Sequence, residues 1–427
     1  MRDLVMDSLT TAPARSRLIL AGMAGNIMEW YDFAVYGYFA ATLGRHFFPS
    51  HNPVASLLAA FGVFAAGFLM RPVGALLFGH IGDRFGRQRA LTLSVLSMAV
   101  PTFLIGVLPD YTQLGLVASG LLVVLRLVQG LSVGGELPTS IVFLVEGAAS
   151  NRRGFMGSWS TVGSVGGIML GSGVGALSST LLAPTALDAW GWRLPFLLGL
   201  VVGLSGLYVR RHLGHMPVPG EEAPPLTSPV REAFRTQWRL ILRVAGLTVL
   251  NAVGFYTVFV YTVTYLEQVV GVRAAALDLN TLNMGAMLLT MLVAGAWSDC
   301  VGRKPLLYGS VLGTLALAWP LFWLMHHPVW SLMLLGQFGL AALLGLYLGV
   351  LCTALAEALP ARLRVSILAI GFNLSMGLLG GVTPMAMTAL LAWSHNPLAP
   401  AYGLMGAAAV TLAVLGSWPE TAKAPLP

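Results

Sequence analysis

The sequence predicts an all-α membrane protein with twelve transmembrane helices in two pseudo-symmetric six-helix bundles. Three features point to it: charge is scarce, long apolar runs recur, and the two halves of the chain repeat one another. Of 427 residues, 56% are hydrophobic and 10% charged, and the mean hydropathy is +0.78. A soluble domain carries about 25% charged residues. The deficit is explained if most of the chain sits in lipid, where charge is costly. At about 20 apolar residues per spanning helix, the length has room for about twelve spans. The 50 glycines agree, because Gly is commoner in membrane helices than in soluble ones.

Apolar runs broken by charge, proline or polar clusters place the spans at 18–44, 54–80, 90–108, 114–145, 154–181, 193–210, 240–266, 275–297, 305–325, 329–356, 364–392 and 399–417. The first 17 residues lack a signal-peptide pattern, and the run that follows is too long for an h-region. It is therefore expected to remain as the first span. A cytoplasmic segment, 1–17, leads into an N-terminal bundle at 18–210. The long polar link at 211–239 carries Pro217, Pro219, Pro224, Pro225 and Pro229 with Glu221 and Glu222. A second bundle at 240–417 and a cytoplasmic tail at 418–427 complete the chain.

Basic residues set the orientation. With the N-terminus inside, 19 of the 24 Lys and Arg fall on the cytoplasmic side, and only Arg45, Arg193 and Arg273 fall outside. Arg71 and Arg126 lie within spans. Both termini are thus expected in the cytoplasm of a bacterial cell, with the chain in its inner membrane. The net charge of +7 is then a sign of topology, and no nucleic-acid partner is expected. Cys300 and Cys352 are too few for a disulfide framework. His80, His326, His327 and His395 show no ligand spacing, so no metal is assigned. No nucleophile–base constellation suggests an enzyme, and no cofactor is expected beyond a proton gradient as energy source.

The repeat is read from two pairs of loops. Gly79, Asp83, Arg84, Gly86 and Arg87 follow span two; Gly295, Asp299, Gly302 and Arg303 follow span eight, and the aspartates are 216 residues apart. Glu146 precedes Arg153 by seven residues, as Glu357 precedes Arg364, at an offset of 211. Two matched loops at nearly one offset indicate a duplicated six-helix unit. Such parallel repeats place a substrate site at their interface near the bilayer midplane.

The Gly-x-x-x-Asp-Arg-x-Gly-Arg loop at 79–87, with its decayed copy at 295–303, resembles the signature of the major facilitator superfamily, and the likeness extends from about residue 20 to 420. Narrower motifs resemble its metabolite:proton symporter branch. They are the run from Gly25 to Phe33, Arg71 to Gly74, Arg126 to Glu136, and Trp190 to Phe196. Members of that branch take up proline and betaine, citrate, 2-oxoglutarate or shikimate. Arg153 to Trp159 and Phe372 to Ser375 look most like the proline/betaine type. The chain departs from the long form of that type, which ends in a coiled coil, by stopping about ten residues after span twelve.

Several residues qualify for mechanism. Glu29 and Asp32 in span one lie about 16–21 Å deep at 1.5 Å per residue, where a carboxylate must be paired, solvated or protonated. They are either proton carriers or structural partners of Arg71 or Arg126. Arg126 presents an always-charged fork suited to a substrate carboxylate. Glu136 lies ten residues further toward the cytoplasm and is a third candidate for proton coupling. A permanent Arg–Glu pair is the alternative. Arg71 is a second candidate for substrate binding. Aromatic faces can hold a quaternary ammonium, which marks Trp30, Tyr36 and Tyr256, although packing alone also explains aromatics here. Asn26, Asn251 and Asn373 add polar contacts within spans. Gly163, Gly167, Gly171 and Gly175 form a ridge for close helix contact.

The superfamily resemblance implies a cytoplasmic gate of Asp83, Arg84, Arg87 and Glu146, in which Arg87 pairs with Glu146 and Asp83 meets the N-terminus of span eleven. Asp299, Arg303 and Glu357 form its symmetric copy. The expected function is proton-coupled symport, by a monomer, of a small carboxylate-bearing organic solute: an organic acid, or a zwitterion such as proline or betaine. A proton-antiport exporter of drugs or metabolites and a non-transporting solute sensor are the alternatives.

Overall fold

The computed structural model describes residues 12–74, 77, 87–132, 136–213 and 229–426. Its helices group into twelve spans. In the N-terminal half they are α1 (Ala12–Tyr38), α2 (Pro53–Gly74), α3 (Arg87–Val107), α4 (Leu116–Ser132 and Glu136–Glu146), α5 (Arg153–Leu181) and α6 (Arg193–Leu213). In the C-terminal half α7 starts at Pro229–Phe255, and α8 (Arg273–Val301), α9 (Arg303–His326) and α10 (Trp330–Ala358) follow. Last come α11 (Arg364–Ser375 and Thr383–Ser394) and α12 (Ala399–Leu415). Seven described helices are long and apolar enough to cross a bilayer by themselves, and the bent pair Pro184–Gly191 and Arg193–Ser205 makes an eighth. Three others are shorter apolar helices. In α1 the polar Asn26, Glu29 and Asp32 dilute an otherwise apolar run.

Local chemistry explains the ends. Asn52 caps α2 by accepting from the Val54 N–H at 3.0 Å, and Pro53 occupies the first turn, where a missing N–H costs nothing. Gly302, at φ 103°, turns the chain between α8 and α9 in a conformation that disfavours a side chain. Two observed boundaries differ from the expected ones. The first span breaks at Phe39, before a short helix Ala40–Phe47. The helix of α7 reaches back to Pro229, so the end of the expected 211–239 link is helical; residues 214–228 lie outside the described residues.

The two bundles meet along α1, α2, α4 and α5 on one side and α7, α8, α10 and α11 on the other. The glycine ridge of α5 works as expected: a Cβ at Gly167 would strike the Ile27 backbone, and Gly163 and Gly171 rest on Met23 and Tyr31 of α1. Motif glycines seat α2 on α4 in the same way, with Gly130 against the Gly67 carbonyl and Gly74 against Leu131. The Trp190 to Phe196 motif is an outer-face staple. Trp192 is wholly buried between His46, Phe47 and Phe196, and Arg193 donates to the carbonyls of Gly106 (3.2 Å) and Leu108 (2.6 Å) at the end of α3.

Candidate functional site

At mid-depth, α1, α2 and α4 place two arginines side by side among aromatic rings. The Arg126 guanidinium carbon lies 4.1, 4.5 and 5.0 Å from the ring centres of Phe33, Tyr36 and Phe64. That of Arg71 lies 5.4, 6.0 and 5.1 Å from Trp30, Phe33 and Phe68. Tyr256 of α7 closes the cluster from the other bundle, 6.0 Å from Phe64 and 5.4 Å from Phe68. The helix is wound into a π turn over Tyr256–Tyr261. A second π turn, Met376–Gly380 of α11, brings Gly380 against the Tyr256 ring. Such turns recur at functional sites because they release one helical bond and re-aim a side chain.

The polar satisfaction of this cluster is uneven. Arg71 donates to Glu29 at 3.0 Å, and both side chains are buried. Arg126 is 0% exposed and donates through one Nη to Gln129 at 3.0 Å. Its Nε and second Nη have no hydrogen-bond partner among the described residues, nor have Nε and Nη1 of Arg71, the Tyr256 hydroxyl, the Trp30 indole N–H and the Ser375 hydroxyl. Buried donors left unpaired are costly. Here several of them gather in one aromatic-walled place, which suits an anionic group that arrives with a ligand. The space Arg126 occupies is made by Gly67, where a Cβ would stand 3.2 Å from Cγ and Nε of Arg126.

The expected site residues divide. Arg71, Arg126, Trp30, Tyr36 and Tyr256 come together. Of the proton-coupling candidates, Glu29 is paired with Arg71. Asp32 is buried in the field of Arg126 and packs with Thr102 against Gly199 of α6. The Glu136 side chain lies outside the described residues. Asn26 donates to the Ser160 carbonyl at 3.3 Å, tying α1 to α5, and Asn251 and Asn373 are buried in the C-terminal half. Phe64, Phe68 and Gln129 belong to the site but were not among the expected residues. Gln129, one turn after Arg126, was the readable signal.

The helix ends that carry the repeated loops are joined across the bundles by charge. Asp299 accepts from the N–H groups of Gly154 (2.8 Å) and Phe155 (3.0 Å) at the N-terminus of α5, where the helix dipole favours an anion. Arg303 holds Glu357 in a fork at 3.0 and 2.9 Å and Asp299 at 2.9 Å. Glu146 of α4 pairs with Arg364 of α11. The Arg87 side chain, Asp83 and Arg84 lie outside the described residues. Arg364 marked the loop repeat in the sequence, but its own role was not read there.

Residues after α12 complete this face. Glu420 accepts from the N–H groups of Arg303 and Lys304, both at 2.9 Å, so it caps α9. Thr421 donates to Glu357 at 2.7 Å, and Arg153 of α5 donates to the Ala424 carbonyl at 3.0 Å. Partial burial opposes ionisation of Glu420, but the backbone N–H groups of Arg303, Ala422, Lys304 and Thr421 outweigh it and hold the carboxyl below the ordinary carboxylate range. Toward the opposite end the joining groups are neutral: Ser172 meets Thr281 at 2.6 Å and Asn280 at 3.2 Å, and Gln337 of the same bundle holds Asn280 at 2.9 Å.

The profile of a family described as "Sugar (and other) transporter" matches residues 18–213. The chain is 38% identical over 425 residues to the glycine betaine/proline/ectoine/pipecolic acid transporter of Dickeya dadantii (strain 3937), covering 96% of this chain and 84% of that one. It is 34% identical over 409 residues to the citrate-proton symporter of Klebsiella pneumoniae, covering 93% and 90%. Its fold matches that of a proton:xylose symporter bound to 6-bromo-6-deoxy-D-glucose with a TM-score of 0.74 at 19% identity, over 96% of this chain and 97% of that one.

Proposed function

The chain belongs to the major facilitator superfamily, in the branch of metabolite:proton symporters, and from that membership we propose that it carries a small carboxylate-bearing zwitterion of the proline and betaine class inward with a proton. The observation that carries the substrate class is the pair of unpartnered Arg126 donors, fully buried among Phe33, Tyr36 and Phe64. A carboxylate meets those donors in a charge-assisted pair. The cationic end of a zwitterion then meets the aromatic rings gathered here, to which Tyr256 adds one from the other bundle.

The transport cycle follows from chemistry that differs between two protonation states. Asp32 takes up the proton from outside, and the substrate carboxylate then holds Arg126. Release of that proton inward restores the carboxylate field on Arg126 and loosens the substrate. Coupling requires that substrate binding favour closure differently in the two states. The bundles rock about the α5–α8 packing. The cytoplasmic ion pairs hold the inner side shut until the loaded protein breaks them. We place the chain in the bacterial inner membrane, with both termini in the cytoplasm, working as a monomer.

The test is uptake into proteoliposomes with and without an inward proton gradient, using radiolabelled proline, glycine betaine, citrate, 2-oxoglutarate and shikimate. Gradient-dependent accumulation of proline or betaine is the expected result. Accumulation of citrate alone would overturn the zwitterion class while leaving the symport intact.

A further inference from the structure

Arg126 and Asp32 are not directly hydrogen-bonded among the described residues, yet a short chain of groups joins them. Arg126 Nη1 donates to Gln129 Oε1 at 3.0 Å, and Gln129 Nε2 donates to Thr102 Oγ1 at 2.6 Å. Asp32 and Thr102 converge on one point of α6, where a Cβ at Gly199 would stand 3.1 Å from Asp32 Oδ1 and 2.4 Å from Thr102 Cγ2. All four side chains are buried. The direction of the chain is set by chemistry. A guanidinium has no acceptor, so Gln129 must turn its oxygen to Arg126 and its NH2 to Thr102. The Thr102 oxygen therefore accepts from Gln129, and its single proton is left with two possible acceptors, Asp32 and the Met98 carbonyl at 2.8 Å.

We infer that Thr102 and Gln129 are positioning residues that transmit the protonation state of Asp32 to the substrate-holding guanidinium of Arg126. The inference rests on the proposed roles of Asp32 and Arg126. When Asp32 is ionised, the Thr102 hydroxyl turns to it. When Asp32 is protonated, its own O–H donates to the Thr102 oxygen, and the Thr102 proton goes to Met98. In the second state the Thr102 oxygen accepts from both Asp32 and Gln129, one at each lone pair, and its O–H no longer donates to a carboxylate, so its hold on the Gln129 amide weakens. The Gln129 amide shifts, and the Nη1 of Arg126 with it.

The surroundings fit a proton that arrives separately from the substrate. Between α1, α3, α4 and α6, a cavity of about 20 Å³ is lined by Met28, Glu29, Asp32, Ser94, Met98 and Ser132, which is room for about one water molecule. The charged and titratable groups facing Asp32 are Glu29 and Tyr31 on α1 and Arg126 on α4. Arg71 of α2 is bound to Glu29. α3 contributes Thr102, and α6 contributes the uncharged Gly199, where a Cβ would stand 3.1 Å from the Asp32 carboxylate.

Thr102→Val, Thr102→Ser and Gln129→Leu test this in proteoliposomes with radiolabelled proline and glycine betaine. Counterflow, which needs no net proton movement, is measured beside gradient-driven accumulation and the pH dependence of KM. Thr102→Val is expected to keep counterflow, to lose accumulation by about fivefold to tenfold, the effect of one hydrogen bond, and to flatten the pH profile of KM. Thr102→Ser is expected to restore both. Unchanged accumulation and pH profile in Thr102→Val would overturn the inference. So would a parallel loss of counterflow and accumulation that Thr102→Ser did not repair. Should Thr102→Val fail to reach the membrane, Gln129→Leu carries the same expected pH profile and the same refutation. Asp32→Asn separates the layers. If it leaves accumulation intact, the underlying role of Asp32 falls. If it blocks accumulation while Thr102→Val and Gln129→Leu behave like the parent, only the relay falls.

Discussion

At the residue scale, Arg126 is held by very little: one amide, three rings and the space left by a glycine. Removing its fork should therefore act on substrate and hardly on folding. Arg126→Lys is expected to raise KM by about tenfold to a hundredfold, the worth of a charge-assisted hydrogen bond, with normal amounts of protein in the membrane. Gly67→Ala should raise KM by about tenfold through displacement of the same guanidinium; a normal KM in that variant would show that the site tolerates the shift. The arginines and carboxylates were legible in the sequence because charge within a span is rare and stands out. Phe64 and Phe68 were not, because a phenylalanine in a membrane helix gives no sign of facing a cation rather than lipid. The Glu29–Arg71 pairing was legible only as one alternative beside Arg126, since spacing along two different helices says nothing of their rotation.

At the element scale, the loop repeat did more than mark a duplication. Asp299 receives two N–H donors from the start of α5, so it fastens one bundle to a helix end of the other. Thr353 of α10 faces the Arg153 carbonyl across the same seam. A single thiol introduced as Thr353→Cys, in a protein with Cys300 and Cys352 replaced, should be protected from a water-soluble maleimide. Adding Asp299→Asn should speed its labelling by about tenfold, as one charge-assisted contact is removed. Equal labelling in both backgrounds would dismiss Asp299 as a latch. Span boundaries were legible from hydropathy to within a few residues in the middle of the chain. The π turns in α7 and α11 were not, because they arise from how Tyr256 and Gly380 pack between bundles, a tertiary effect that leaves no period in the sequence.

At the scale of the whole molecule, the two ends are joined by different chemistry: carboxylates and arginines at the end with the repeated loops, which we propose faces inward, amides and hydroxyls toward the other. The inner contacts should weaken with salt and acid, whereas the outer ones should not. Glu420 sets the acid limit for the segment after α12. Its carboxyl ionises more readily when docked than when free, so docking is fully supported above the ordinary carboxylate range and is lost as pH falls through the lower, docked value. Proteolysis of that segment from the cytoplasmic side should be slow at neutral pH and faster in Glu420→Gln at the same pH. The sequence marked only a tail at 418–427, with no sign of what it touches, since about ten residues beyond the last span offer no pattern of their own. The structure instead ties residues 418–422 to the C-terminal bundle and Ala424 to Arg153 of the N-terminal one. Each turnover must then stretch or drop that last attachment. A pair of spin labels at 153 and 424 would act as a turnover counter: their separation would jump whenever the inner side opened, and would report single cycles without any label in the substrate's path.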